Sequence, residues 1–283
     1  MKLAVVGGNG FIGREFIEYA LAEGHDCCVI GSEYDVFSDE GRKTVKELLV
    51  QSDALVFLAA RKDYNGFSKE DYRYNVDLAM TYLDICREID MDNIVVTSSR
   101  CAYSSDVLPW KEDDMQAPLS LYGASKQAVD SLVLLYNRKY EMHIKSLRLA
   151  QVLGMGERKG FLMNTLIDNA RQGIRQTVYG TGAGRKQYIY VKDVSDVILR
   201  CVTEKKYEAG IFNIAMRDNI SVLETAELVN LIFNNKAGIE LLKDCKEDRK
   251  EYLMDVSKAS KYLEWEAHYD MEAALRCIAN EDL

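Results

Sequence analysis

Tyr122 and Lys126, four residues apart in the stretch "LYGASKQAVD", form a pair of side chains that could carry acid–base chemistry. A phenol can exchange a proton with a substrate hydroxyl when a nearby cation favours its ionised form. The spacing alone is weak evidence, because a chain with 17 tyrosines is expected to contain about one such pair by chance. Tyr188 and Lys192 repeat the spacing in "YIYVKD", so the local context must separate the two pairs.

The context of Tyr122 and Lys126 is typical of a ligand-binding face. Residues 120–140 have a helical pattern, and a spacing of four places both side chains on one face of that helix. The three residues between them are small, which would let a cofactor lie close. A predicted strand, 93–99, ends in two serines, and open α/β sheets bind ligands at the carboxyl ends of their strands. Tyr188 lies in a predicted strand and has no such strand leading to it.

Glycines at the N-terminus predict a dinucleotide-binding turn. Gly7, Gly10 and Gly13 recur every three residues between a short apolar strand and a helix, and Phe11 and Ile12 complete the turn. Such a turn lets the backbone approach a pyrophosphate, whose charge then faces the first amides of the helix. A glycine turn without a ligand is the alternative, and the strand–turn–helix context favours the dinucleotide.

The residues after the second strand bear on which nicotinamide cofactor binds. Gly31 stands where an acidic residue usually bonds the adenosine ribose, and Ser32 and Asp35 follow as candidate contacts. No basic residue occurs between Gly31 and Arg42, and nearby carboxylates would repel a 2′-phosphate. The sequence therefore favours NAD over NADP and leaves NADP possible.

Strands alternate with helices along the first 150 residues, which predicts a Rossmann-type, doubly wound parallel sheet of the α/β class. Between the second strand and "ALVFLAA" there is room for only one helix, about 39–51, and at most a strand stub near 34–36. We expect a cofactor-binding domain at 1–150, with returns at about 176–214, and a smaller, interleaved α/β substrate lobe at 151–283.

Composition excludes several classes of protein. A net charge of −9 argues against a broad nucleic-acid surface, which needs a basic face. No apolar run approaches the roughly 18 residues that a membrane helix needs, and a strand begins at once in place of a signal peptide. The seven cysteines form no CxxC motif and have no His cluster nearby. We therefore expect reduced thiols, a cytoplasmic location and no metal site.

Taken together, these motifs resemble the extended short-chain dehydrogenase/reductases, and specifically the NAD-dependent epimerase/dehydratase family, which acts on nucleotide sugars. The resemblance covers nearly the whole chain. It is carried by the stretches "GGNGFIG", "LAA", "YNVDLAMTYLD", "TSSRCAY", "YGASK", "RLAQVLG", "YGTGAGRKQYIYVKDV", "FNIA" and "DRKEYLMDVSKASKYLEWE". The match is specific for the family and weak for the substrate.

The resemblance implies roles for individual residues. Tyr122 would be the acid/base, and Lys126 would bond the nicotinamide ribose and favour ionisation of the phenol. Ser99 matches the serine that bonds the same sugar oxygen, with Ser98 as the alternative. The remaining matches, at cofactor-binding positions, are Ala59, Ala60 and Asn75.

Departures from the family pattern fall on the substrate side. Arg100 and Cys101 replace the Asp-Glu pair of the dehydratases, which disfavours dehydration and leaves epimerisation or keto-sugar reduction. Arg100 would either meet a charged substrate or point away in a structural ion pair. Gln151 replaces the usual asparagine after the sixth strand.

The expected cations for the substrate diphosphate are also altered. Lys186 takes the place of the usual arginine, with Arg185 just before it. Lysine binds phosphate as a point charge and not as a planar fork. Arg249 matches a later phosphate-binding arginine, and its alternative is a solvated position in the charged run "KDCKEDRKE".

The sequence therefore predicts an NAD-dependent nucleotide-sugar epimerase, acting at C4 through a transient 4-keto sugar. The alternatives are a nucleotide-sugar ketoreductase or dehydrogenase that uses the same residues, and a non-catalytic cofactor-binding protein. The family also implies a homodimer through helices at about 68–89 and 120–140, although their apolar faces could equally be buried within one monomer.

Overall fold

The computed structural model describes residues 1–62, 68–104 and 107–281. Its centre is a six-stranded sheet in which every neighbouring pair of strands is parallel. The strands, from one edge to the other, are β2 (Asp26–Ile30), β1 (Lys2–Val6), β3 (Ala54–Phe57), β4 (Asn93–Ser99), β5 (His143–Leu149) and β9 (Gly210–Ile214).

Helices cover both faces of this sheet. They are α1 (Phe11–Ala22) and α6 (Val191–Thr203) on one face, and α2 (Asp39–Val50), α3 (Lys69–Glu88) and α4 (Leu121–Tyr140) on the other. Strand β1 shows why, because successive side chains of a strand point to opposite faces. Leu3 and Val5 pack into the core on the α1 and α6 side, and Ala4 and Val6 pack into the core on the side of the other three helices. The predicted doubly wound α/β sheet is therefore confirmed, as are the long helices α3 and α4.

The connection from β2 to β3 contains α2 and no further strand. Residues 34–36 form no strand, so the suggested stub there is absent, and Val36 is instead buried in the core beside α2. The chain order reverses at β1, which has β2 on one side and β3 on the other. A ligand cleft is expected at this reversal, over the carboxyl ends of the strands.

The smaller lobe contains two short sheets. Strand β8 (Arg185–Tyr190) lies between β6 (Gln151–Leu153) and β10 (Asn219–Ser221), and β7 (Gln176–Tyr179) pairs with β11 (Ile239–Leu242). The helices of the C-terminal half, apart from α6, are α5 (Leu162–Arg171), α7 (Val222–Ile232), α8 (Ser257–Tyr262) and α9 (Met271–Asn280).

The return to the central sheet is narrower than 176–214. Within that range α6 packs on α1 and β9 pairs with β5, whereas β7 and β8 belong to the small sheets because their hydrogen-bonded partners lie there. The boundary at residue 150 stays a prediction.

In the part of the chain that the structure describes, no helix has both the length and the apolar character needed to cross a bilayer.

Candidate active site

The glycine turn after β1 is built by close backbone packing. Gly7 has a φ of +86°, and a Cβ there would lie 2.8 Å from the backbone nitrogen of Ala59. A Cβ on Gly13 would lie 2.4 Å from the carbonyl oxygen of Gly7. Helix α1 begins after Gly10 without a side-chain cap, so its first amides remain available to an anion. The turn therefore fits a dinucleotide pyrophosphate.

Two cavities meet at this turn, and both are lined by Gly7, Gly10, Leu58 and Ala60. The cavity on the β2 side has a volume of about 600 Å³. Besides the shared residues, three further predicted cofactor residues line it: Ser32, Asp35 and Ala59. We call it the adenosine-side cavity.

The second cavity, of about 280 Å³, is called the catalytic cavity. It lies over β4 and the start of α4, and Ser99, Tyr122 and Lys126 all line it. Phe11, Ile12 and Gly13 of the glycine turn line it as well. The residues predicted for proton transfer and for the nicotinamide end of the cofactor therefore share one cavity.

Lys126 is buried, with 5% of its surface exposed. Its Nζ donates a hydrogen bond to the carbonyl oxygen of Thr97 at 2.8 Å and lies 5.9 Å from the centre of the Tyr122 ring. Burial lowers the pKa of Lys126 to about 8, and the charge of Asp130, one turn along α4, partly opposes that shift. The lysine is thus held beside the phenol with a fixed direction.

The start of α4 is fixed against the end of β4. Ser120 caps the helix by accepting a hydrogen bond from the Gly123 amide at 3.0 Å. A Cβ on Gly123 would lie 2.1 Å from the carbonyl oxygen of Cys101, so only glycine permits this approach. The small residue at 123 therefore seats the helix on the chain segment that follows Ser99, a role that the sequence pattern did not reveal.

A buried ion pair anchors the same helix to β5. The Nε of Arg148 donates to a carboxylate oxygen of Asp130 at 2.7 Å, and Ser146 donates to the other oxygen at 2.6 Å. All three side chains are essentially inaccessible to solvent. A charged pair in such a place is costly to break, because either partner alone would be an uncompensated buried charge.

Both serines at the end of β4 line the catalytic cavity. The hydroxyl oxygen of Ser99 accepts a hydrogen bond from the Cys101 amide at 3.2 Å, where it caps the short 3₁₀ turn at Arg100–Ala102. The hydroxyl of Ser98 is buried and has no partner among the described residues. The catalytic assignment of Ser99 over Ser98 stays a prediction.

Asn75 is buried and lines neither of the two cavities. Its amide donates to the carbonyl oxygen of Arg61 at 2.9 Å and accepts from the Arg61 amide at 2.7 Å. It also donates to Ser125 at 3.3 Å. Asn75 thus ties the segment after β3 to α4, and its predicted contact with the cofactor remains a prediction.

Three of the five predicted substrate residues line the catalytic cavity or the cavity next to it, and the other two line neither. Arg100 and Gln151 line the catalytic cavity, and Lys186 lines a neighbouring cavity of about 630 Å³ beside β7 and α5. Arg185 points elsewhere, because successive residues of β8 face opposite sides. It bonds Asn219 at 2.7 Å and pairs with a carboxylate oxygen of Glu224 at 3.1 Å.

Arg249 also lies outside the three cavities, with 71% of its side chain exposed and its Nε 3.0 Å from Glu247. The Glu247 carboxylate accepts hydrogen bonds from the amides of Thr181 and Ala183 in the glycine turn after β7, and these bonds hold its pKa at about 2. The segment that carries Arg249 is therefore held against that turn by the carboxylate of Glu247.

Sequence reasoning missed several residues of the catalytic cavity, among them Lys62, Glu157, Arg158 and Phe161. The Nζ of Lys62 lies 5.2 Å from the centre of the Tyr122 ring and 5.5 Å from that of Phe161. Its signal was available, because Lys62 follows a strand on the side where such sheets bind ligands.

Glu157 is the most unusual of the missed residues. One carboxylate oxygen accepts a hydrogen bond from Gln151 at 2.9 Å, and the other is buried without a partner among the described residues. Burial raises the pKa of Glu157 to about 7, although Gln151 and Lys62 favour its charged form. Its signal was weak, since it lies in an irregular loop between β6 and α5.

Known proteins resemble this chain over its whole length. The low-salt glycan biosynthesis protein Agl12 of Haloferax volcanii is 28% identical over an alignment that covers 98% of this chain and 97% of Agl12. The UDP-N-acetylglucosamine 4-epimerase of Bacillus cereus has a TM-score of 0.88 at 29% identity, with 99% of both chains covered.

A further solved structure is the UDP-glucuronic acid 4-epimerase of Bacillus cereus in complex with UDP-glucuronic acid and NAD. It has a TM-score of 0.81 at 21% identity and covers 99% of this chain and 98% of that one, a likeness that concerns the fold alone. The model of the NAD-dependent epimerase/dehydratase family matches residues 3–215. Since that match spans most of the 283 residues, the chain belongs to the NAD-dependent epimerase/dehydratase family.

Proposed function

We propose that the protein is an NAD-dependent nucleotide-sugar epimerase that inverts C4 through a transient 4-keto sugar. The observation that carries the proposal is the convergence of Ser99, Tyr122 and Lys126 on one cavity that also borders the glycine turn. NAD, when bound, accepts a hydride from the sugar and returns it. The UDP-N-acetylglucosamine 4-epimerase of Bacillus cereus, which is similar over nearly the whole chain, supports the same class of activity.

Tyr122 is the proposed acid/base. Its phenolate takes the proton of the C4 hydroxyl while the hydride leaves, and the phenol returns that proton when the hydride comes back to the other face. The cation of Lys126 favours the phenolate, and a hydrogen bond from Ser99 holds the same sugar oxygen. The net change is inversion, with no cofactor consumed.

Lys186 is the proposed cation for the substrate diphosphate. It is largely buried, with 18% of its side chain exposed, and it lines the cavity of about 630 Å³ beside Thr177, Val178 and Tyr179. Nucleotide in this cavity and sugar in the catalytic cavity would place the diphosphate between the two. Arg185 and Arg249, which pair with Glu224 and Glu247, are weaker candidates.

A nucleotide-sugar ketoreductase or dehydrogenase is the second candidate. The connection from β2 to β3 holds only α2 beside the adenosine-side cavity. A cavity wall built from fewer residues favours exchange of the cofactor between turnovers, which net redox chemistry requires. An epimerase, by contrast, can keep its NAD.

The experiment that separates these functions is NMR of purified protein with NAD and a panel of UDP-, GDP-, CDP- and dTDP-sugars, with absorbance of reduced nicotinamide recorded in the same tube. We expect a new sugar epimer without net reduced cofactor. Reduced cofactor that grows with turnover would establish the dehydrogenase instead.

Tyr122→Phe tests whether the protein is an enzyme at all. We expect turnover to fall by about 10²- to 10⁴-fold while NAD still binds, because the variant removes only the proton-transfer group. Tyr19→Phe is the matched control, since that phenol bonds Asp196 on the α1–α6 face and lines none of the three cavities. A cofactor-binding protein without catalysis would bind NAD equally well in all three forms and invert no sugar.

We also propose a homodimer through α3 and α4. Apolar side chains remain exposed on these helices, among them Met80, Leu134 and Leu135. Light scattering after size-exclusion chromatography would give twice the chain mass for a dimer, and Leu134→Glu should shift the protein toward the monomer.

A further inference from the structure

Arg100 directly follows Ser99 and lines the catalytic cavity, where its charge has no carboxylate partner among the described residues. Its guanidinium carbon lies 4.4 Å from the centre of the Tyr252 ring. The structural ion pair that was one expectation for this arginine is therefore absent from the part of the chain that is described. Arg100 as a whole is half-buried.

The ring of Tyr252 is shared by a second cation. The Nζ of Lys186 lies 4.3 Å from the same ring centre, and the Tyr252 amide donates to the Arg185 carbonyl oxygen, which holds the tyrosine beside β8. Lys186 has a carboxylate neighbour, Asp248, at 2.6 Å. Lys250 lies farther away, at 5.8 Å from the ring centre, and of the two nearer cations only Lys186 has a carboxylate partner among the described residues.

The two cations also face different spaces. Lys186 lines the cavity beside β7, whereas Arg100 lines the catalytic cavity with Ser99 and Tyr122. A substrate that spans both cavities would bring its diphosphate to Lys186 and its sugar to Arg100. The position of Arg100 thus points to the sugar.

The catalytic cavity as a whole is rich in positive charge. Its described lining contains Lys62, Arg100, Lys126 and Arg158, and Glu157 is its only carboxyl group among those residues. A neutral hexose needs hydrogen bonds and not cations. A guanidinium, by contrast, presents a planar fork of donors that matches a carboxylate.

We propose that Arg100 binds a carboxylate on the sugar ring, so that the preferred substrate is a nucleotide-activated sugar acid and not a neutral hexose. This inference rests on the proposed function, because it assumes that the sugar occupies the catalytic cavity.

The test compares UDP-glucuronate with UDP-glucose on the NAD-loaded protein, both in turnover and in binding by calorimetry. Wild type should prefer the uronate. Arg100→Gln should lose about 10- to 100-fold in kcat/KM and in affinity for the uronate, the usual range for a lost charge-assisted hydrogen bond, and less than about 3-fold for the neutral sugar. Arg100→Lys should recover part of the loss.

Arg185→Gln is the matched control, because this arginine faces Asn219 and Glu224 and should leave the ratio between the two sugars unchanged. Equal losses on both sugars in Arg100→Gln would assign the arginine to the diphosphate and overturn the proposal. So would wild-type protein that prefers UDP-glucose or fails to bind UDP-glucuronate. Selective binding of the uronate without any turnover would support Arg100 and contradict the proposed epimerase, so the two failures are distinguishable.

Discussion

The two ends of the cleft are built in different ways. The cofactor end is backbone: Gly7 and Gly13 pack against main-chain atoms, and α1 presents uncapped amides. The substrate end is side chain: Arg100, Gln151 and Lys186 come from three separate segments, and each is held by a residue that is distant in the chain or in an irregular loop.

This difference determines which substitutions each end tolerates. A backbone site tolerates almost no added atom, because the contacts to main-chain atoms cannot move aside. A side-chain site can exchange one cation for another and so change its ligand, and the departures at Arg100, Gln151 and Lys186 occur there. One fold can therefore keep its cofactor while its substrate varies.

Gly7→Ala tests whether the cofactor end is a rigid backbone site, and it is expected to have the largest effect because both folding stability and NAD affinity should fall. The new Cβ would lie 2.8 Å from the Ala59 nitrogen, and the backbone φ of +86° is one that alanine adopts only under strain. We expect a loss of about 1–3 kcal/mol in folding free energy and at least about a tenfold loss of NAD affinity, measured by denaturant titration and calorimetry.

Gly24→Ala is the control for Gly7→Ala. Gly24 has a similar φ of +81°, but a Cβ there would meet nothing within 4 Å. It should lose about 1 kcal/mol of stability from backbone strain alone and keep wild-type NAD affinity. Unchanged NAD affinity in Gly7→Ala would show that the cofactor end is not built from this turn.

At the substrate end, Lys186→Met is expected to weaken substrate binding without the loss of folding stability expected from Gly7→Ala. Loss of a charged hydrogen-bond donor to the diphosphate should raise KM by about 10- to 100-fold and leave kcat nearly unchanged, since binding and transition state lose the same contact. Arg249→Met should change KM by less than about 3-fold, because its ion pair with Glu247 is 71% exposed on the arginine side.

Asp248→Asn sharpens the Lys186 prediction. Asp248 competes with a diphosphate for this lysine at 2.6 Å, so its neutralisation should lower KM slightly. Steady-state kinetics of the three variants on one substrate give the comparison. If Arg249→Met raised KM more than Lys186→Met, the assignment of the diphosphate cation would be reversed.

The sequence could predict the cofactor end because its signals are local. The glycine spacing, the strand before it and the helix after it are contiguous, and the helical spacing of Tyr122 and Lys126 is contiguous too. The single helix between β2 and β3 followed from chain length. These features need no knowledge of long-range contacts.

The substrate end depends on contacts that the sequence does not display. Arg185 and Lys186 are adjacent on a strand, so one must face away from the site, and only the pairing of β8 with β10 shows which. Arg249 is drawn to Glu247, which itself docks on Thr181, 66 residues earlier. Glu157 lies in a loop without a periodic pattern, so neither its burial nor its bond to Gln151 could be foreseen.

The smallest expected effect tests that unforeseen carboxyl group. Because the pKa of Glu157 is raised from 4.5 to about 7 in the folded chain, the folded state binds more protons than the unfolded state between these values. Its stabilising contribution is present below pH 4.5 and is lost as the pH rises through 7. Glu157→Gln keeps the shape and an oxygen that can accept from Gln151, but it does not titrate. We expect the variant to match wild type near pH 4.5 and to exceed its folding stability by about 1–2 kcal/mol at pH 8.

Melting temperatures of the cofactor-free protein across pH 4.5 to 8 measure this difference, with Glu240→Gln as control. Glu240 is exposed on β11, away from the three cavities, so its variant should follow wild type at every pH. A stability difference for Glu157→Gln that stays flat with pH would mean that the carboxyl is hydrated in solution. Water would then reach the interior of the substrate end as it reaches the exposed ion pairs there. Only the cofactor end of the cleft would exclude water and remain rigid.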